Sequence, residues 1–376
     1  MVSATSKKFR VLVVDDSAFM RKVLETIFNA DDQLQVVGQA KDGREAIALS
    51  ESLKPDVITM DLNMPHMDGL QATAHIMTNN PRPIVIVSSE SKEGAASTLK
   101  SLELGAIDFV AKPSGGIDLD MQSVKDDLLR KVRVAAKVRV VRTASRLANA
   151  VQAPPKPPPA NGSSASKSQS PIALADNMRF PVVVLAASTG GPATVMRLAP
   201  GFTRDFPAAV ILVQHMPASF TSQYALQLSE FTGIRVKEAE ANDALQPSTL
   251  YVCPGGQHLR VSPTGRVQLD ATTGRIDGYL PNIDVTMESV AAYAGAMSIG
   301  VVLTGMGSDG ARGARVIKQA GGFVVAQDEA TSVIFGMNAE AIKAGVVDQT
   351  LGIDEIYPAI EKRVLALCKN APVGVR

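Results

Sequence analysis

The stretch Asp56-Val-Ile-Thr-Met-Asp61-Leu-Asn-Met-Pro-His-Met-Asp-Gly69 places a short apolar run directly before a carboxylate and a turn rich in Pro, Asp and Gly. An apolar run of this length, bounded by turn residues, is typical of a buried strand in a parallel sheet. Amphipathic, helix-like stretches separate it from four similar runs, Phe9–Val14, Leu34–Ala40, Ile84–Val87 and Ile107–Val110. This alternation predicts a five-stranded, doubly wound α/β domain.

A Pro- and Ser-rich segment, Ala153–Ser170, lacks apolar periodicity and is predicted to be a linker. Beyond it the same alternation returns, with runs at Val182–Ala187, Ala208–Val213, Thr249–Val252, Ser298–Leu303 and Gly322–Ala326. We therefore expect two parallel-sheet α/β domains. The predicted division is a first domain over 8–128, a basic helix and linker over 129–178, and a second domain over 179–376.

Composition narrows the class of protein. The 376 residues carry a formal net charge of +1, which gives no indication of a nucleic-acid partner. The N-terminal residues lack the apolar region of a signal peptide, and no apolar run approaches the ~20 residues that span a bilayer. Cys253 and Cys368 form no paired motif, which suits a reducing compartment. We expect a cytoplasmic protein without membrane insertion.

The segment Val124–Arg146 is strongly basic. We interpret it either as a solvated basic helix or as a surface that steers docking onto an acidic partner.

Charged side chains follow the strands predicted for the first domain. Asp15 and Asp16 end the first run, Asp61 ends the third, and Lys112 ends the fifth. Because carboxyl ends of parallel strands meet at one edge of a sheet, these groups should converge. Three carboxylates together favour Mg²⁺, the lysine supplies a charge for a phosphate, and Ser88 offers a hydroxyl to the same group. The set suits an aspartate that accepts a phosphoryl group.

With these motifs, residues 8–128 resemble a response-regulator receiver domain. The resemblance implies that Asp61 is the phosphoacceptor and that a histidine kinase is the phosphodonor. It also implies that Asp16, Asp61 and the backbone of Asn63 bind Mg²⁺, with Asp15 in support. Ser88 and Phe109 would be switch residues.

Three strand ends of the second domain carry a possible hydrolytic triad. Ser188 lies between a predicted strand and a helix that begins near Pro192, where backbone N–H groups could stabilise an oxyanion. His215 ends the next run, and Asp309 follows the run that begins at Ser298. We predict Ser188 as nucleophile, His215 as base and then acid, and Asp309 as its partner. Asp284 is a second carboxylate candidate.

An alternative reading concerns Gly305-x-Gly307-x-x-Gly310, which follows a strand and precedes a helix, with Asp328 about 20 residues later. This spacing satisfies the dinucleotide-binding fingerprint. However, Asp309 would place a negative charge where the fingerprint needs to attract a pyrophosphate. The fingerprint also leaves Ser188 and His215 without a role.

The second half resembles the CheB family of chemotaxis protein-glutamate methylesterases. The resemblance rests on Ala187-Ser-Thr-Gly-Gly-Pro192, Gln214-His-Met-Pro217, Pro254-Gly-Gly-x-His258 and Thr304-Gly-Met-Gly-x-Asp-Gly310. It implies hydrolysis of glutamate methyl esters on methyl-accepting chemoreceptors, deamidation of certain receptor glutamines, and no cofactor for the hydrolase domain. The backbone N–H of Met306 would contribute to the oxyanion hole. Asn338 departs from the usual proline of the family.

Two rival functions are weighed against this one. The first is a receiver that signals only by binding partners, with a degenerate second domain, but Ser188, His215 and Asp309 are all present. The second is a hydrolase of small esters or amides, which the absence of Trp and the few Tyr residues disfavour. In the unmodified chain we expect the receiver to lie over the hydrolase crevice.

Overall fold

A computed structural model describes residues 7–88, 91–112, 119–138 and 180–369. The predicted linker, 153–170, lies outside these residues. The described chain forms two α/β units, each built on a parallel sheet. The predicted fold class is confirmed.

The N-terminal unit contains the five predicted strands. They are β1 (Phe9–Val14), β2 (Leu34–Ala40), β3 (Val57–Met60), β4 (Ile84–Ser88) and β5 (Asp108–Ala111). All pair in parallel, in the order β2-β1-β3-β4-β5. The helices are α1 (Ala18–Asn29), α2 (Gly43–Leu53), α3 (Gly69–Asn79), α4 (Lys92–Glu103) and α5 (Leu119–Ala135). Apolar residues of α1 and α5 cover one face of the sheet, and those of α2, α3 and α4 cover the other.

The end of the N-terminal unit differs from the prediction. The boundary expected after residue 128 falls inside α5, where Leu128, Leu129, Val132 and Ala135 all pack on the sheet. The interpretation of this segment as a solvated basic helix is also wrong for Lys131. Its ammonium group is buried and lies 3.3 Å from Asp108. The unit therefore extends at least to Ala135.

The C-terminal unit is built on a seven-stranded sheet. Its strands are β6 (Val182–Ala187), β7 (Ala209–Gln214), β8 (Arg235–Glu238), β9 (Thr249–Val252), β12 (Ser298–Val302), β13 (Phe323–Gln327) and β14 (Gln349–Leu351). They run in parallel in the order β14-β13-β12-β6-β7-β9-β8. A separate antiparallel hairpin joins β10 (His258–Val261) to β11 (Val267–Asp270). The sequence analysis did not predict β8, β14 or this hairpin.

Helices cover both faces of this sheet. They are α6 (Gly191–Leu198), α7 (Ala218–Phe231), α8 (Ile283–Ala294), α9 (Ala311–Gln319), α10 (Met337–Lys343) and α11 (Ile353–Lys369). Apolar residues of α6, α7 and α11 pack on one face, and those of α8, α9 and α10 pack on the other. Across the described ranges, no helix combines the length and the apolar character needed to cross a bilayer.

The two units pack directly against each other. Helix α4 of the N-terminal unit lies against α7 of the C-terminal unit, and Gln227 donates a hydrogen bond to Glu103 across the contact. The ring of Phe109, from β5, lies 4.4 Å from the ring of Phe220, from α7. Val333 of the C-terminal unit packs on the apolar cluster that includes α5. The contact therefore involves α4, β5 and the α5 side of the first unit.

Gly69 allows a very close approach of two backbone segments in the N-terminal unit. A Cβ atom at this position would lie 1.9 Å from the carbonyl oxygen of Asp61. We expect Gly69→Ala to lower the free energy of unfolding by about 2–3 kcal/mol or more, because backbone has to move. At Gly352 the nearest atom to such a Cβ is 3.4 Å away, so Gly352→Ala should be close to neutral. Calorimetry of the full chain compares the two, and equal melting profiles would contradict the expectation.

Candidate functional site

An acidic cluster lies at the carboxyl ends of β1 and β3. Carboxylate oxygens of Asp15, Asp16 and Asp61 lie within 4.8 Å of one another. The Lys112 ammonium lies 2.9 Å from Asp15 and 2.8 Å from Asp61. Asp15 and Asp61 are buried, whereas Asp16 is exposed. The structure therefore brings together the four charged groups that the sequence analysis singled out.

Burial governs the charges of this cluster. Burial raises the pKa of Asp61 and the neighbouring Asp15 adds to the effect, while Lys112 and the backbone N–H of Asn63 oppose it. For Lys112, burial lowers the pKa, but hydrogen bonds to Asp61 and Asp15 outweigh it and the net shift is upward. One ammonium group faces three carboxylates, so the cluster suits a further cation with oxygen ligands.

The remaining residues predicted for this unit lie near the cluster or at the domain contact. Ser88 is buried at the end of β4, the neighbour of β3 in the sheet. Phe109 is buried and contacts Phe220 of the second unit. The predicted switch residue on β5 thus packs on a helix that begins three residues after His215.

Ser188 lies at the point where the strand order of the second sheet reverses. Strand β6 has β7 on one side and β12 on the other, and such a switch point opens a crevice at the carboxyl ends. The backbone N–H of Ser188 donates to Thr304, and its carbonyl accepts from Gly191 and from the Gln214 side chain. The turn is therefore tied to both neighbouring strands.

Close packing dictates the small residues around Ser188. Gly190 has φ of 76°, in the left-handed region, and a Cβ there would meet Val333 at 2.5 Å. At Gly305 a Cβ would lie 2.8 Å from the Cβ of Ser188. The loop over residues 305–307 consequently lies directly against the serine.

Ser188, His215 and Asp309 form one hydrogen-bonded chain. The His215 Nδ1 atom lies 3.0 Å from Ser188 Oγ, and Nε2 lies 2.8 Å from Asp309 Oδ2. Because an ionised carboxylate only accepts, Nε2 carries the proton and Nδ1 accepts from the serine hydroxyl. The two nitrogens are exchanged relative to the serine protease template, in which Nε2 faces the serine. In this arrangement Nδ1 is the nitrogen that can act as the base.

Asp309 is held by the start of another helix. Its oxygens accept the backbone N–H groups of Ile283, at 2.8 Å, and Asp284, at 3.0 Å. These residues form the first turn of α8, whose free N–H groups and dipole favour a negative charge. The carboxylate is 3% exposed, so little water competes for it.

Asp284 binds the start of a helix, whereas Asp309 is the carboxylate that contacts His215. Asp284 Oδ1 accepts the backbone N–H groups of Gly310, at 2.9 Å, and Gly313, at 2.6 Å, at the start of α9. The start of α8 therefore binds Asp309, which precedes α9, and the start of α9 binds Asp284, which lies in α8. A dinucleotide pyrophosphate would need these same α9 amides, and Asp284 already binds them. The nucleotide-binding alternative is therefore wrong.

Three residues near the triad were not predicted to take part in it. The ring of Tyr279 stacks on the ring of His215, with centroids 4.4 Å apart. The buried His258 accepts the Asn282 backbone N–H at its Nδ1, and the Asn282 side chain caps α8. The Pro-Gly-Gly-x-His motif pointed to His258 without a role. No sequence signal distinguishes Tyr279, because a ring contact between distant residues has no characteristic spacing.

Asn338 occupies a buried position behind the triad. Its side-chain amide donates to the Gln327 carbonyl and to Ser332, and the Gln327 side chain accepts the Thr304 N–H. The asparagine thus belongs to a hydrogen-bonded network that supports the loop beginning at Thr304.

Comparisons with known proteins identify two families along the chain. Residues 183–360 match the CheB methylesterase family model, and residues 11–122 match the response regulator receiver domain model. A protein-glutamate methylesterase/protein-glutamine glutaminase of Symbiobacterium thermophilum is 40% identical over 97% of this chain and 99% of its own. The protein of the same name from Pyrococcus abyssi is 41% identical, over 96% and 95%. The crystal structure of the Thermotoga maritima CheB methylesterase catalytic domain is 36% identical, covering 49% of this chain and 99% of that chain, with a TM-score of 0.48.

The pKa of Asp284 leads to a pH-dependent prediction. Burial raises this pKa from 3.8 to about 6, and Asp309 adds to the effect. The folded state therefore binds the proton more tightly than the unfolded chain does, and this stabilisation is lost as pH rises through about 6. Asp284→Asn cannot ionise but retains an oxygen for Gly310 and Gly313. Its free energy of unfolding, minus that of the wild type, should rise by roughly 2–3 kcal/mol between pH 4 and pH 7.

Denaturant titrations at several pH values measure this difference. The exposed Asp205→Asn is the matched control, and its difference from the wild type should stay flat with pH. A flat or falling difference for Asp284→Asn would show that the carboxylate is not held in a destabilising environment.

Proposed function

Because the chain belongs to the CheB methylesterase family, we propose that it hydrolyses methyl esters of glutamate side chains on methyl-accepting chemoreceptors and deamidates certain receptor glutamines. The observation that carries the proposal is the hydrogen-bonded chain of Ser188, His215 and Asp309, at 3.0 and 2.8 Å. It lies at the switch point of a parallel sheet, where the carboxyl ends of the strands open a crevice. The relatives named above act on protein glutamate and glutamine, which sets the chemical class of the substrate.

The proposed reaction proceeds through an acyl-enzyme. Ser188 Oγ attacks the ester carbonyl while His215 Nδ1 takes its proton, and the carbonyl oxygen becomes an oxyanion. We assign the backbone N–H of Met306 as a donor to that oxyanion, since its loop lies against Ser188. His215 then gives the proton to the departing methoxide, and methanol leaves.

A water molecule completes the cycle. It attacks the carbonyl carbon of the acyl-enzyme while His215 takes one of its protons. When the resulting tetrahedral intermediate breaks down, His215 returns that proton to Ser188 Oγ and the glutamate is released. For a glutamine substrate the leaving group is ammonia instead of methanol. Asp309 holds Nε2 protonated throughout and stabilises the imidazolium that forms twice in each cycle.

We assign the N-terminal unit as a phosphorylatable receiver with Asp61 as the nucleophile and a chemotaxis histidine kinase as phosphodonor. The acidic cluster suits Mg²⁺ held by Asp16, Asp61 and the Asn63 backbone, with Asp15 in support; when bound, the ion neutralises the transferring phosphoryl group. Lys112 supplies a second positive charge and Ser88 a hydroxyl for that group. Cys253 and Cys368, both free, agree with a cytoplasmic setting for the pathway.

The packing between the units supports control of the hydrolase by the receiver. Ser188 is only 3% exposed in this arrangement. Val333 contacts both Gly190, two residues after Ser188, and the apolar cluster of the receiver. We infer that the docked receiver restricts the access of a receptor helix to Ser188 and that phosphorylation favours a more open arrangement. The Phe109–Phe220 contact joins the predicted switch residue to this interface.

Ser188→Ala should abolish methanol release from methylated receptor membranes. Loss of a triad nucleophile typically lowers the rate by at least ~10⁴-fold. The measurement is the initial rate with phosphodonor and Mg²⁺ present, and Ser219→Ala, at the start of α7, is a control that keeps the nucleophile. More than a tenth of wild-type activity in Ser188→Ala would exclude the assignment.

Asp61→Asn should remove the response to a small phosphodonor plus Mg²⁺ and leave the unstimulated rate, because an amide cannot act as the nucleophile. The same assay measures this response. A variant that still gains activity would place the phosphoacceptor elsewhere.

The fragment 179–376 serves as the control for this experiment, because it retains the triad and lacks Asp61. It should be active without phosphodonor and faster than the unphosphorylated full chain, since the receiver is no longer there to restrict access to Ser188. A fragment slower than the unphosphorylated chain would contradict the covering role of the receiver while leaving the esterase assignment intact.

A further inference from the structure

We propose that Tyr279 is a positioning residue for His215. Its ring holds one face of the imidazole in place and stabilises the charged form of the imidazole. The two rings are nearly parallel, with an interplanar angle of 14° and centroids 4.4 Å apart. The proposal rests on the function proposed above, because it concerns the base of that reaction. It adds an aromatic residue to a triad that the sequence motifs describe without one.

The polypeptide around Tyr279 is built to keep the ring in place. Tyr279 and Ile276 exchange two backbone hydrogen bonds, at 2.9 and 3.0 Å, which close a tight turn. Asn282 follows three residues later, and its side-chain amide donates to the Ile276 carbonyl at 3.2 Å. Its backbone N–H is bound by the buried His258. The turn is thus anchored to the residue that caps α8, the helix that also holds Asp309.

The ring, and not the hydroxyl group, makes the stronger contact with the site. The Tyr279 hydroxyl reaches the Met306 carbonyl only at 3.5 Å, the limit of a hydrogen bond. A Cβ atom on Gly307 would lie 2.1 Å from that hydroxyl oxygen, so the glycine makes room for the side chain. Tyr279 therefore lies across the loop over residues 305–307 with its face on His215.

This contact acts on the step that moves the proton. The imidazole nitrogens are both engaged, so movement out of the ring plane is the motion that would lengthen both hydrogen bonds together. The stacked tyrosine ring blocks that motion on one face of the imidazole and keeps water away from that face. When His215 becomes an imidazolium, the π face of the tyrosine also attracts the positive charge. The attraction is present only when the ring is charged, so it stabilises the transition state more than the resting enzyme and increases kcat.

The full-length chain, activated with phosphodonor and Mg²⁺, provides the test. Tyr279→Phe retains the ring, whereas Tyr279→Leu and Tyr279→Met retain only apolar volume. We expect Tyr279→Leu and Tyr279→Met to lower kcat for methanol release by about 3- to 30-fold with KM changed less than twofold. Tyr279→Phe should stay within about twofold of the wild type. Tyr357→Leu, on the distant α11, controls for loss of an aromatic side chain.

A second measurement does not depend on the receptor substrate. The rate at which a fluorophosphonate labels Ser188 reports the activation of the serine by His215, and it should fall in parallel with kcat in the leucine and methionine variants. Melting temperatures identify any variant that fails to fold. If one does, the other replacement and Tyr279→Phe still decide between ring and hydroxyl.

The outcomes separate this proposal from the one on which it rests. A wild type that releases no methanol but is labelled at Ser188 would overturn the substrate assignment, and the labelling series would still decide the role of Tyr279. Unchanged kcat in both apolar variants, or a rise in KM alone, would show that the ring is a wall of the substrate site. A loss in Tyr279→Phe equal to that in Tyr279→Leu would assign the effect to the hydroxyl.

Discussion

The hydrogen bonds from the first turn of α8 to Asp309 are the constraint on which the catalytic unit depends. A carboxylate buried to this degree is unfavourable unless its oxygens are bound, and two backbone N–H groups and the His215 ring bind them. This arrangement sets the proton on Nε2 and leaves Nδ1 to face Ser188. The orientation of the base therefore follows from where a helix begins.

The second organising feature is the use of parallel sheets in both units. In each sheet the side chains that carry chemistry follow strand ends, and the sheet brings them to one edge. The two units meet at a contact in which the ring centroids of Phe109 and Phe220 lie 4.4 Å apart. One of these rings lies on the last strand of the receiver, and the other lies on the helix that follows His215. A packed aromatic pair therefore joins an element of each site across the contact between the units.

Much of this organisation could be predicted because buried parallel strands form continuous apolar runs. The ten runs identified in the sequence all correspond to observed strands, and the charged residues after them meet as expected. Strands β8 and β14 were missed because they lie at sheet edges, where exposed residues such as Arg235 and Gln349 interrupt the apolar pattern. The boundary at 128 was wrong because the charges of α5 concealed Leu128, Leu129 and Val132, which face the sheet.

The site shows the same division between what spacing predicts and what only packing reveals. Ser188, His215 and Asp309 were found because each follows an apolar run, whereas Tyr279 lies in a turn with no such marker. Asp284 could be recognised as a second carboxylate, but the spacing did not indicate that it binds the start of α9. That role requires knowing that two helices begin side by side.

The reciprocal exchange of carboxylates between α8 and α9 makes the two helix starts one structural module. Asp309 precedes α9 and binds the start of α8, while Asp284 lies in α8 and binds the start of α9. If the first turn of either helix unfolds, the carboxylate that it binds loses its backbone N–H partners. For protein engineering, segments 282–284 and 309–313 are therefore a unit of transplantation, although 24 residues separate them. A chimera that exchanged only one segment would inherit a carboxylate without its amides and amides without their carboxylate.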